Sequence, residues 1–189
     1  MRRDPLTEAW TIFSASHPLP PAFRSVLEEP APPSPFTAGN ERFVPQALYS
    51  ALKTDGAGWQ VRVAPNRAPL LQIEGDPTPQ SDGFYDRMDG VGAHEVIVEE
   101  PGAGALETLS LGDIEKVIVA WKSRMLDLMK DARMRSFTVV KNVGLPAGAR
   151  VGHSVSQLLA MAVAPPPWRA CPWATSRRSS WRGNPECST

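Results

Sequence analysis

Apolar residues return along the chain in two rhythms. Between residues 110 and 135, Ile114, Val117, Ile118, Trp121, Met125, Leu128 and Met129 recur every three or four positions. That spacing gathers them on one face of a helix. Glu115, Lys116, Lys122, Lys130 and Asp131 fall largely off that face. Ser110 stands where a cap belongs, with Asp113 three residues on as its acidic partner, so the pattern predicts one strong helix over 110–135. Elsewhere the rhythm is short and β-branched. Residues 10–13, 61–64, 96–98 and 137–141 read as strands. Residues 151–163 form a longer apolar segment. Read as a strand, it puts His153, Val155 and Gln157 on one face and Ser154 and Ser156 on the other.

Between these elements the chain loses its period. Residues 30–45 are proline-rich, and 72–90 are polar and full of turn formers, a surface loop by composition. Residues 167–189 carry three of the six Trp and both cysteines, with neither helical nor strand spacing. This segment reads either as a disordered tail or as coding sequence read out of frame.

Composition narrows the class. The chain has 189 residues, 42% of them hydrophobic, and its 20 basic and 20 acidic side chains cancel. One domain with a tail fits that length. A balanced charge gives no reason to expect a nucleic acid or an anionic membrane as partner. No apolar run reaches the roughly eighteen residues a membrane span needs. The first ten residues lack the apolar core of a signal peptide. Cys171 and Cys187 both lie in the tail, so the body has no disulfide framework and a cytoplasmic location is expected.

Candidate chemistry concentrates near residues 137–166. Asn142, Gly144, Pro146 and Gly148 form a turn whose glycines let backbone N–H groups approach an anion. A strand face carrying His153 and Gln157 follows, and together they could hold a phosphate. Upstream, Pro65 and Asn66 turn a strand, and His94 precedes the apolar run Val96, Ile97, Val98.

In register, Asn142, Gly144, Gly148, His153, Ser156, Gln157 and the Pro165–Pro166 pair resemble the active-site segment of galactose-1-phosphate uridylyltransferases, in the histidine-triad superfamily. That family has Asn-x-Gly, a small-residue turn, His-Pro-His-Ser-Gln and an apolar strand ending in Pro-Pro. Further segments follow in family order: residues 2–12, then Pro35, Phe36, Gly39, Asn40 and Glu41, then Trp59, Arg62, Val63, Pro65, Asn66, Arg67, Pro69 and Leu70, then residues 92–99. The resemblance covers about 1–166, the N-terminal half of the family.

The resemblance implies an α+β fold, an antiparallel open sheet or half-barrel of the histidine-triad type with the main helix packed on it. It implies uridylyl transfer between UDP-glucose and a hexose 1-phosphate in galactose metabolism, and a homodimer. Asn66, Asn142, Gly148 and Gln157 would contact nucleotide and phosphates. In the family an imidazole attacks the α-phosphorus and carries the nucleotidyl group, splitting one transfer into two displacements. Val155 stands at that position here, and Ser154 replaces the proline before it. Valine has no lone pair to attack with, so impaired or absent turnover is expected. The alternative is a non-catalytic nucleotide-binding remnant or truncated product of the same fold. The family's zinc is held by two cysteines and two histidines. His94 and His153 match the histidines, but Ser34 and Thr37 occupy the cysteine positions. Neutral hydroxyls are poor zinc ligands, so no stoichiometric zinc is expected. His17 and Pro20 stand where the family has two phosphate-binding basic residues.

Overall fold

In the computed structural model the described residues are 1–14, 34–56, 58–102, 104–149 and 151–164. The expectations for His17, Pro20, Pro165, Pro166, the cysteines and the tail fall outside them. The described elements are β1 (Arg2–Arg3), β2 (Trp10–Thr11), β3 (Tyr49–Leu52), β4 (Trp59–Pro65), β5 (Gln80–Asp82), β6 (Tyr85–Arg87), β7 (Gly92–Val98), α1 (Leu111–Leu128), β8 (Ser136–Val140) and β9 (Val155–Met161).

Two antiparallel sheets result. The larger has the order β3-β4-β7-β9-β8, and the smaller the order β2-β1-β6-β5. Helix α1 covers one face of the larger sheet. Val61 and Val63 of β4, Ile97 of β7 and Leu158 of β9 meet Val117 and Ala120 of the helix, all fully buried. Trp121, Met125 and Leu128 complete the contact. Burying one such aliphatic side chain is worth roughly 1.5–3 kcal/mol, so this cluster is the main adhesive between helix and sheet. One polar link crosses it. Glu95, buried in β7, accepts two hydrogen bonds from Arg124 at 2.7 and 2.8 Å. The fork of the guanidinium matches the carboxylate and fixes the helix's rotation on the sheet. β7 approaches β9 so closely at Gly92 that a Cβ there would collide with the carbonyl oxygen of Ala160. The fold is therefore α+β, as the residue patterns predict.

Several boundaries differ from the sequence reading. Ser110 does cap α1, accepting from the Asp113 N–H at 3.2 Å. The helix ends at Leu128, not 135. Beyond it the Lys130, Asp131 and Met134 N–H groups bond three residues back, and the Asp131 carboxylate takes the Arg133 N–H at 2.9 Å. Such side-chain-to-backbone bonding competes with helix continuation. Ile118 and Met129 belong to the outer face, because the sheet contacts only the side bearing Val117 and Ala120. The strand expected over 151–163 begins at Val155, and His153 lies in the bend before it. The polar stretch 72–90 contains the hairpin β5–β6, turning at Gly83 with φ +66°. Among the described residues no helix is long and apolar enough to cross a membrane.

Candidate functional site

The face of the larger sheet turned away from α1 carries the candidate residues. Because paired residues in an antiparallel ladder share a face, the register writes out rows across the strands. Arg62 of β4 pairs with Val98 of β7, and Val98 pairs with Val155 of β9. On the far side β8 pairs Val140 with Gln157, and continuing that register sets Asn142 opposite Val155. Val155 thus sits mid-row, flanked by a cation two strands away and a carboxamide beside it. The adjacent row is Ala64, Val96, Gln157 and Val140.

Asn66, His94 and Gln157 converge. The Leu70 N–H donates to His94 Nδ1 at 3.0 Å. A backbone N–H can only donate, so Nδ1 is the bare nitrogen and the neutral ring carries its proton on Nε2. That proton is donated to Gln157 Oε1 at 2.8 Å. The Asn66 amide nitrogen lies 3.0 Å from the same Nε2, while Asn66 Oδ1 accepts from the Ala68 N–H at 3.0 Å. Asn142 and Gly148 also meet. Gly148 takes φ +84°, and a Cβ built there would stand 3.4 Å from Asn142 Nδ2. A β-carbon is disfavoured at that φ, which is why the turn uses glycine.

The four positions matching the family's zinc ligands do not converge. His94 pairs with Leu159, six residues beyond His153. The four strand steps from Val155 to Leu159 alone span on the order of 13 Å. The turn bearing Ser34 and Thr37 lies instead against His153 alone. The Phe36 ring is 6.0 Å from the His153 ring, and the Ala38 N–H donates to Pro101 O at 3.0 Å. His153 Nε2 donates to Glu100 O at 2.6 Å, and Ser34 Oγ accepts from the Phe36 N–H at 3.2 Å. Two neutral hydroxyls and one committed imidazole do not fit a tetrahedral zinc. Among the described residues no group of three or more His, Cys, Asp or Glu is placed to hold a metal.

Two features escaped the sequence reading. The first is an apolar hollow above the Arg62 row, lined by Pro35, Phe36, Val44, Pro45, Trp59 and Val98. The Arg62 guanidinium stands 5.5 Å from the Trp59 ring centroid, a cation–π arrangement. The doublet of tryptophan and arginine three apart on a strand was its only signal. The second lies beneath Val155, on the helix side. Glu99, fully buried, accepts from Lys141 Nζ at 2.5 Å, from Ser154 Oγ at 2.5 Å and from Ser156 Oγ. Ser154 and Ser156 do face away from Val155, as strand alternation requires, and both are spent on this carboxylate.

The geometry can be set beside known proteins. No protein-family model matches the chain. ADP-glucose phosphorylase of Arabidopsis thaliana is 32% identical over 178 residues, covering 88% of this chain and 49% of that protein. Its crystal structure with bound ADP-glucose superposes with a TM-score of 0.61 at 28% identity, over 87% of this chain and 49% of that one. A uridylyltransferase structure gives a TM-score of 0.64 at 28% identity, over 89% and 48%. A GALT-like protein of Arabidopsis thaliana gives 0.60 at 27%, over 87% and 48%. The chain spans about half the length of the relatives it matches. On sequence and fold together, this chain is a relative of the galactose-1-phosphate uridylyltransferase family.

Proposed function

We propose that the face of the larger sheet turned away from α1 binds a sugar nucleotide at its half-buried residues Arg62, Val155 and Gln157 and that this chain, as it stands, does not transfer the nucleotidyl group. One observation carries the second half of the proposal: Val155 occupies the middle of the row from Arg62 to Asn142. Of the side chains in that row, Arg62 is a cation and Asn142 an amide, and neither attacks phosphorus. Ser154 and Ser156 are held by Glu99 on the opposite face. Asn142 and the Gly148 turn are suited to phosphate oxygens, and the Asn66–His94–Gln157 set to hydroxyl or carbonyl groups. The domain at 1–166, the cytoplasmic setting and the role in hexose 1-phosphate metabolism belong to the same proposal.

The nucleotide is open to a direct comparison. A relative with bound ADP-glucose at 28% identity favours an adenine nucleotide, and the uridylyltransferase likeness favours UDP-glucose. Equilibrium dialysis with each sugar nucleotide tests binding. Incubation with the α-phosphate labelled tests chemistry. Saturable binding is expected, without protein-bound label and without release of glucose 1-phosphate. Absence of binding to both would sink the site, and rapid transfer would mean that another side chain is the nucleophile.

A further inference from the structure

The smaller sheet sets two arginines opposite each other. Arg2 of β1 pairs with Arg87 of β6, and Arg87 pairs with Gln80 of β5. Thr11 of β2 completes the row on the other side of Arg2. Directly paired residues share a face, so one exposed face shows hydroxyl, guanidinium, guanidinium and carboxamide in line. Like charges directly opposite are destabilising, and no carboxylate in the row offsets this pair. Among the described residues neither Arg2 nor Arg87 makes a side-chain hydrogen bond or an ion pair. The contrast is one residue away: Arg3, on the other face, is paired with both Glu8 and Asp86.

Beside Arg87 the face opens into a cavity of about 240 Å³, lined by Asp76, Thr78, Gln80, Arg87, Met88 and Asp89. Pockets for drug-sized ligands run to roughly 300–1,000 Å³, so this one takes a single ring or a short chain. Its two carboxylates are each only half used. Asp76 Oδ1 accepts from the Thr78 N–H at 2.9 Å and from the Thr78 hydroxyl at 2.6 Å. Asp89 Oδ2 accepts from the Asp76 N–H at 3.0 Å. The second oxygen of each is left to accept from something else, and neither carboxylate is in an ion pair with Arg87. The site is cationic at its sheet end and rich in acceptors at its loop end.

We propose that this face of the smaller sheet binds a small phosphorylated polyol, with its phosphate on Arg2 and Arg87 and its hydroxyls in the cavity on Asp76, Gln80 and Asp89. Two guanidinium forks match the oxygens and the charge of a phosphate monoester. Ionised carboxylates can only accept hydrogen bonds, which suits hydroxyl groups, and their charge repels a second phosphate. A nucleic acid or a polyphosphate is thereby disfavoured. The row belongs to a different sheet from Arg62, Val155 and Gln157, and the inference does not depend on the function proposed there.

The two ends of the site can be tested apart. Isothermal titration calorimetry of the full chain compares glucose 6-phosphate with ethyl phosphate, which offers the same anion without the hydroxyls. Glucose 6-phosphate should bind about tenfold tighter. Arg87→Gln should weaken it by about tenfold or more. The same change should leave thermal stability equal or raised, because it removes one of two opposed like charges. Arg62→Gln, on the larger sheet, should leave this binding as it is. Asp89→Asn keeps an oxygen for the Asp76 N–H and removes a negative charge. It should bring the two affinities together by weakening glucose 6-phosphate alone, whereas damage to the loop would weaken both ligands. No binding of glucose 6-phosphate at millimolar concentration would overturn the proposal. So would binding that survives Arg87→Gln, binding lost in Arg62→Gln, or an Asp89→Asn variant in which both ligands weaken equally.

Discussion

His94 Nε2 donates to Gln157 Oε1 at 2.8 Å, a diagonal contact between neighbouring strands in which His94 directly faces Leu159. The bond selects the tautomer, because Nδ1 already receives the Leu70 N–H. Gln157→Leu keeps most of the volume and removes that acceptor. Asn66 could turn its oxygen toward Nε2 in compensation, but would then abandon the Ala68 N–H. Either the buried His94 Nε2–H or the half-buried Ala68 N–H goes short, at a cost of up to about 1–3 kcal/mol. Urea denaturation should show that loss. Gln157→Glu, which keeps an acceptor in place, should lose less. Equal stability of the leucine variant and the parent would mean that this bond contributes nothing.

Val155→His places an imidazole opposite Val98, on the face turned away from α1. Under the proposed function it supplies a nucleophile and nothing else. Stabilisation of the displaced phosphate oxygens needs preorganised donors, and a missing one typically costs roughly 10²–10³ in rate. The variant should therefore acquire slow protein-bound label from an α-labelled sugar nucleotide, with negligible turnover. Multiple rounds of glucose 1-phosphate release from this single variant would show that the remaining donors are already in place.

The parts of the fold that announce themselves in the sequence are those whose side chains have one apolar face. The cap at Ser110, the buried positions Val117 and Ala120, and strands β7, β8 and β9 are of that kind. The hairpin β5–β6 is not, since its residues are polar and almost all exposed. β3 is four residues of alternating half-burial, too short to stand out. At the site, the meeting of Asn142 with Gly148 follows from their closeness in sequence. The meeting of His94 with Gln157 depends on strand register, which no local pattern reveals. The separation of His94 from His153 depends on register too: both residues adjoin buried strands, and His94 pairs with Leu159, six residues beyond His153. Glu99 is the largest surprise. Beside Glu100 it looks like a solvated strand end, but it is fully buried and takes a hydrogen bond from Lys141, the residue after β8.

The N-terminus of α1 should make stability depend on pH in acid. The Ser110 hydroxyl, then Lys116, holds the Asp113 carboxyl below its usual range. A depressed folded pKa means that the anion stabilises the native state above the unfolded value near 3.8, and that this is lost as pH falls through the folded value. The stability difference between the parent and Asp113→Asn should therefore be constant near neutrality and vanish in strong acid. Ser110→Ala should cost about 1 kcal/mol and shrink the pH-dependent part as well. Denaturation series at several pH values check both, and a parent–Asn difference unchanged into strong acid would contradict the assignment.

Glu99 and Lys141 offer a sharper comparison. The carboxylate is fully buried, while the lysine side chain is 21% exposed. Three donors reach the carboxylate: Lys141 Nζ and the hydroxyls of Ser154 and Ser156. Lys141→Met removes the only one of the three that carries charge. The buried carboxylate then keeps only the two serine hydroxyls as partners. Breaking a buried pair from one side typically costs about 3–5 kcal/mol, and this variant should approach that. Glu99→Gln leaves a neutral amide that can still bond the serines. The lysine it strands lies nearer the surface and can turn its ammonium toward water, so the loss should be smaller. The double variant E99Q/K141M strands no charge at all. Its loss should fall well short of the sum of the two single losses, because most of each single loss is the cost of the partner left behind. Chemical denaturation of the three variants measures this. Additive losses would mean that the two side chains are not coupled, and that the strand end carrying Val155 is held by the serine hydroxyls and the ladder alone.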